Sequence, residues 1–164
     1  MLKYLIFALI VLTTIPNAKS DASLQLDNIY RLFMQDKIEL KAINLVYDES
    51  VIHVGKTNSA LLDGKKDFID TNIKPTIKML ESRQFKLKLI AYVVRRVLST
   101  DMANDVGYLY SEISLPDGKQ LKQLQKYSWV FINENGIWKV ITDFDATPAD
   151  LAILPFISAE RIIR

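Results

Sequence analysis

Apolar residues recur at helical spacing at Leu26, Ile29, Tyr30, Phe33 and Met34, and again at Ile38, Ala42, Leu45 and Val46. Each set makes one stripe on a helix. The pattern predicts helices over about residues 23–35 and 37–47, with Asp36 and Glu39 as a D-x-x-E start signal at the second. Val51 to Val54 and Ala60 to Leu62 form short strand runs around a turn at Gly55–Ser59, closed by Asp63-Gly64. Phe68, Ile69, Ile73, Ile77 and Leu80 mark a third helix, in which Pro75 removes one bond and forces a kink or break. After Ser82 the period changes to two. Alternation predicts strands from Phe85 to about Thr100, from Val106 to Leu115 and from Lys122 to Asn133, and one beginning with Trp138-Lys139-Val140. A turn is expected at Asp101–Asp105, and Asn135-Gly136 between two alternating runs predicts a type I′ hairpin. Helices first and consecutive long strands afterwards describe an α+β domain with a mostly antiparallel sheet.

The two ends read differently. Lys3, the run Leu5 to Leu12 and Ala18-Lys19-Ser20 have the form of a cleaved export signal over residues 1–20. The run is too short to span a bilayer, so no stable membrane insertion is expected once it is removed. The expected locale is periplasmic or secreted, with a domain over 21–147. The remaining tail, 148–164, is apolar. Thr147-Pro148-Ala149-Asp150 resembles a helix start, and residues 148–158 are expected to dock through Leu151, Leu154 and Phe156.

Composition narrows the function. Losing Lys3 and Lys19 takes 21 basic residues to 19, against 19 acidic ones, so a mature chain is neutral. That argues against nucleic acid as a partner, and Lys65-Lys66 and Arg95-Arg96 read as solvated pairs. With no cysteine, thiol catalysis and thiolate metal sites are excluded. No metal-ligand spacing, phosphate loop or serine elbow occurs, and no cofactor is expected.

The order helix–helix, Leu45-Val46-Tyr47-Asp48-Glu49-Ser50-Val51, Leu62-Asp63-Gly64-Lys65-Lys66-Asp67-Phe68-Ile69, then a meander ending Asn135-Gly136-Ile137-Trp138-Lys139-Val140, resembles the nuclear transport factor 2-like superfamily, in its ketosteroid isomerase and SnoaL-like branch. The resemblance covers about residues 23–146. It implies a cone: a strongly curved, mostly antiparallel sheet covered by three N-terminal helices, often enclosing an apolar pocket and often dimeric through the sheet's outer face. It also implies where isomerase chemistry would sit. The base position falls on His53 or Val54, neither a carboxylate. The strand that should supply a deep acid, Lys122–Asn133, has none. The first-helix tyrosine maps near Asn28, two places from Tyr30. No steroid isomerisation is expected.

His53, the only histidine, remains the candidate catalytic residue, although no acid is visibly placed to orient it. Asp143 and Asp145 share a face and read as solvated carboxylates. Strict alternation turns Trp138, Val140, Thr142 and Phe144 inward. The expected pocket is Tyr30, Phe33, Val54, Tyr92, Tyr110, Ser128, Val130, Trp138 and Phe144, suited to a small apolar ligand. The expected homodimer surface is Tyr127, Trp129 and Phe131. These features describe an exported, non-catalytic small-molecule-binding or accessory domain. The alternatives are an isomerase or hydrolyase using His53 with a pocket tyrosine, and a protein-interaction module working through its sheet.

Overall fold

The computed structural model describes residues 18–34, 39–55 and 61–164. Most of the expected signal segment, together with Asp36 and Ile38 of the second helix's start, therefore lies outside the described residues. Helix α1 (Ala18–Phe33) and helix α2 (Leu40–Val46) lead into strand β1 (Tyr47–Val54) and strand β2 (Leu61–Asp63). The third helix is one run built of α3 (Lys65–Phe68), a π segment (Ile69–Ile73) and α4 (Lys74–Ser82). Pro75 is at the start of α4, where a missing N–H costs little, and the irregularity falls just ahead of it. Strands β3 (Lys86–Leu98), β4 (Met102–Ser114), β5 (Gln120–Glu134) and β6 (Ile137–Ala149) follow. A 3₁₀ turn (Leu151–Phe156) and strand β7 (Arg161–Ile163) end the chain. The β3–β4 turn is tighter than expected, because Asp101–Asp105 is mostly strand.

The strands form one sheet in the order β2-β1-β6-β5-β4-β3-β7, antiparallel except where β1 lies parallel to β6. Asn135 and Gly136 both have positive φ, 55° and 86°, as the predicted hairpin requires. The architecture is the expected α+β arrangement. Its helices cover the concave face, where Leu26, Ile29, Tyr30, Ile43, Val51, Phe68, Trp129, Phe131, Trp138 and Val140 form one core.

Two irregularities reset which side chains face that core. In β6, Val130 pairs with Thr142 but Phe131 pairs with Val140, so Ile141 is an extra residue. Trp138 and Val140 point inward as predicted, but beyond the bulge Asp143 points inward and Phe144 outward, 42% exposed. In β3, Val93 pairs with Gly107 and Arg95 with Val106, which makes Val94 the extra residue and turns Arg96 inward. A bulge re-aims every side chain beyond it. Gly107 accommodates this one: a Cβ there would come within 2.0 Å of the Tyr92 carbonyl oxygen.

Several expectations are corrected accordingly. Tyr127, Trp129 and Phe131 are buried against the helices and do not form an outer surface. Their alternates Ser128 and Val130, with Val54 and Phe144, lie on the convex face rather than in the cone. Tyr92 and Tyr110 also lie outside the cone, in a second cluster with Ile90 and Leu124. The tail covers that cluster through Ile153, Leu154 and Ile157. Asp150 caps the 3₁₀ turn, accepting from Ala152 N at 2.9 Å. Leu154 is an anchor as expected, whereas Leu151 is exposed and Phe156 is 84% exposed. β7 then pairs with Ala91–Val93 and buries Ile163.

Candidate functional site

A row of polar side chains crosses the concave face. Register pairs His53 with Asp143, Asp143 with Trp129, Trp129 with Asp105, and Asp105 with Arg96. Five strands thus present five neighbouring inward positions, four of them ionisable. Trp129 stands at the centre, with Tyr30 of α1 stacked on it at 4.7 Å and 9°. It divides the row into two sites.

The Arg96 site is an ionic anchor. Arg96 Nε and Nη2 donate to the two Asp105 oxygens at 2.8 and 2.6 Å. Nη1 donates to Asp27 Oδ1 at 2.8 Å, and to the Ser23 carbonyl and hydroxyl oxygens at 2.9 Å each. Tyr30 OH donates to Asp105 Oδ2 at 2.9 Å, and Arg161 of β7 donates to Asp27 Oδ2 at 2.7 Å. Ser23, Asp27 and Tyr30 are spaced four and three apart, which puts them on one face of α1. Asp105 has no accessible surface, so its charge depends on these partners. Burial works against the Arg96 charge, but the Asp105 and Asp27 carboxylates outweigh it and hold the guanidinium protonated. Burial also pushes the Tyr30 and Tyr127 hydroxyls well above the ordinary tyrosine range. This arrangement clamps α1 and β7 to the sheet, and the reading of Arg95-Arg96 as a solvated pair fails for Arg96.

The His53 site lies on the other side of Trp129. Asp143 is 5% exposed and is not a solvated rim acid. Its Oδ2 accepts from Tyr47 OH at 2.5 Å and its Oδ1 from Trp129 Nε1 at 2.8 Å. His53 Nδ1 lies 3.7 Å from the same Oδ2. The imidazole is also 5% exposed and packs on Phe68 at 4.7 Å. Gly55 lets the chain pass close to the ring, since a Cβ there would lie 2.7 Å from His53 Nε2. Phe33 closes the site, edge-on to both Tyr47 and Trp129.

Tyr47 reaches this site by alternation, since Tyr47, Val51 and His53 are the buried residues of β1 and share its inward face. Register with β6 slips between Tyr47 and Ile52, where the Asp48 carboxylate accepts from Ser50 N at 2.9 Å and Ser50 Oγ at 2.7 Å. The Ser50 amide, with its hydroxyl and then Lys139, holds the Asp48 carboxyl below its usual range.

Of the expected pocket residues, the structure brings Tyr30, Phe33 and Trp138 to the concave side with His53. Trp138 also lines a groove of about 600 Å³ with Asp21, Gln25, Leu98 and Asn133. Sequence reasoning missed Asp143 and Tyr47 as companions of His53, and the Arg96–Asp27–Asp105 set entirely. An isolated Asp in an apolar strand was the available signal for Asp105 and Asp143. Among the described residues, no group of His, Asp and Glu has the geometry to hold a metal ion.

No family model and no curated protein matches the chain. Solved structures do. A nuclear transport factor 2-like protein from Salmonella enterica serovar Typhimurium aligns with a TM-score of 0.64 at 12% identity, over 81% of this chain and 95% of its own. A type 2 hexachlorocyclohexane dehydrochlorinase aligns at 0.61 and 12%, over 81% and 92%. A protein of this fold and unknown function from Prochlorococcus aligns at 0.58 and 16%, over 81% and 98%. The fold is that of the nuclear transport factor 2-like superfamily, which includes enzymes and proteins without a known activity.

Proposed function

We propose that the chain is a proton-transfer domain acting on a small apolar substrate, with His53 as the proton acceptor. The observation that carries this is the buried carboxylate of Asp143, fixed by Tyr47 and Trp129, 3.7 Å from His53 Nδ1. An aspartate facing one imidazole nitrogen orients the ring and stabilises the imidazolium formed when the other takes a proton. The supported reaction class is elimination: His53 takes a C–H proton, the C–H electron pair forms a double bond, and the leaving group departs from the adjacent carbon. A dehydrochlorinase of the same fold lends the class support. Wild type is expected to convert at least one member of a panel of halogenated and hydroxylated rings. His53→Gln and Asp143→Asn should each lower the rate by about 100-fold or more without unfolding the protein. No turnover across the panel, or full activity in His53→Gln, overturns the proposal.

The second reading is an exported binding or accessory domain without catalysis. It is favoured by the aromatic filling of the interior, where Tyr30, Phe33, Tyr127, Trp129 and Phe131 pack ring against ring. Ligand-induced thermal shifts without turnover would select it. Either reading is compatible with a homodimer through the convex face, whose exposed apolar residues include Ile52, Val97, Met102 and Phe144. Sedimentation equilibrium of wild type and Phe144→Lys tests that: a wild type that stays monomeric at tens of micromolar rejects the dimer.

A further inference from the structure

Asn135-Gly136 is the only Asn-Gly step in the chain, and it forms the tip of the β5–β6 hairpin with both residues exposed. An Asn side chain followed by Gly invites one particular reaction. The Gly nitrogen gives its proton to hydroxide and attacks the Asn Cγ. The new N–C bond closes a five-membered imide, and the side-chain nitrogen takes up a proton and leaves as ammonia. Water then adds to one of the two imide carbonyls and breaks its C–N bond, giving Asp or isoAsp. Gly has no side chain to hinder the attack, and a Cβ placed on Gly136 would meet nothing within 4 Å, so solvent has free access.

The closed hairpin opposes this reaction. Asn135 has φ 55° and Gly136 φ 86°. A residue with a Cβ and such a φ occupies the left-handed region, where ψ is about 47°. That ψ turns the Gly136 nitrogen to the side away from the Asn135 Cβ. Cγ and the nitrogen therefore cannot meet until the turn opens. Two contacts keep it closed. Glu134 pairs with Ile137 across the tip, and Gly136 N donates to Asn133 Oδ1 at 2.9 Å. The second contact also holds the proton that the reaction must remove. Asn133 is itself half-buried, and its backbone N donates to the Asp101 carbonyl at 2.7 Å.

We propose that Asn135 is a site of spontaneous deamidation and that Asn133 guards it, by holding the Gly136 amide in the closed turn. The reaction then runs through local opening of the hairpin tip. Its products differ from the parent turn. An isoAsp adds a backbone carbon to a two-residue loop, which no longer fits between Glu134 and Ile137. An Asp adds a charge beside Glu134, which already shares Lys139 with Asp48. This proposal is independent of the chemistry at His53.

The experiment is peptide mapping by mass spectrometry of protein held at mildly alkaline pH, with the same chain in urea as reference. Exchange of ammonia for water changes the mass at Asn135, whereas isomerisation at Asp63-Gly64 or Asp117-Gly118 does not. Folded wild type should deamidate at Asn135 at least about ten-fold more slowly than the unfolded chain, because the ordered turn lacks the freedom that ring closure needs. Asn133→Ala should speed the folded protein by about five-fold, the factor that one neutral hydrogen bond is worth, and leave the rate in urea unchanged. Asn133→Asp keeps an acceptor and should be as slow as wild type or slower. Equal rates in the folded and unfolded wild type overturn the proposal, as does an Asn133→Ala rate equal to wild type. If circular dichroism shows that Asn133→Ala loosens the whole fold, the wild-type comparison and Asn133→Asp decide; an Asn133→Asp protein that deamidates faster than wild type overturns the guarding role.

Discussion

Replacing Arg96 with methionine keeps a long side chain but removes the only cation that touches Asp105 among the described residues. The guanidinium makes five hydrogen bonds, two to Asp105, one to Asp27 and two to Ser23. Once it is gone, Asp27 still has Arg161, which is partly exposed. Among the described residues, Asp105 keeps only the Tyr30 hydroxyl, and it has no accessible surface. The cost is therefore dominated by one uncompensated buried carboxylate, about 3–5 kcal/mol. That is a large part of the roughly 5–15 kcal/mol that stabilises a domain. Urea unfolding followed by the fluorescence of Trp129 and Trp138, both buried, reads the loss directly. With a slope near 2 kcal/mol/M, the midpoint should fall by about 2 M. Adding Asp105→Asn to Arg96→Met should recover about 1 kcal/mol or more, because the stranded charge is gone. A midpoint shift under about 0.5 M, or a double variant no more stable than the single one, would refute the account of Arg96 as an ionic clamp.

Gly107→Ala should cost at least about 2 kcal/mol, because the new methyl collides with the Tyr92 backbone and not with a movable side chain; a melting temperature equal to wild type would contradict the β3 bulge. Burial, then the Glu112 carboxylate, pushes the Tyr110 hydroxyl up to about 12. The folded state thus keeps that proton after the unfolded chain, titrating near 10, has released it. The stabilisation is complete below pH 10 and is lost as pH rises toward 12. Phenolate absorbance in a rapid alkaline jump should show late-ionising tyrosines, Tyr30 and Tyr127 with Tyr110; complete ionisation near pH 10 without unfolding would contradict this.

Element types and order were legible in the sequence because each follows from a local period or a turn chemistry. The Asn135-Gly136 hairpin, the helical stripe of Leu26, Ile29 and Tyr30, and the alternation through β3 to β6 all appear where the pattern puts them. The inward face of the long strands was not legible. Alternation fixes the face only while register holds, and one inserted residue inverts it. Val94 and Ile141 are β-branched residues that look like any other strand position. Tyr127, Trp129 and Phe131 were assigned outward for the same reason, since their strand is apolar on both faces and gives no local sign of which side the helices cover. Of the companions of His53, Asp143 was hidden because it lies beyond the β6 bulge, whereas Tyr47 shares the face of His53 by plain alternation along β1 and was legible in the pattern. The tail was half legible: its apolarity forecasts docking, while the 3₁₀ turn decides which of its side chains dock.

The extra residue in β6 also bears on how such an interior could change. If Ile141 were taken into the ladder opposite Val130, every later residue would slip by one: Thr142 would meet Trp129, Asp143 would turn to the outer surface and Phe144 would be carried inside. Deleting Ile141, by contrast, would straighten the strand and leave Asp143 facing inward beside Trp129. A charged cup around His53 and a greasy one thus differ by a single step of register, with no side chain exchanged.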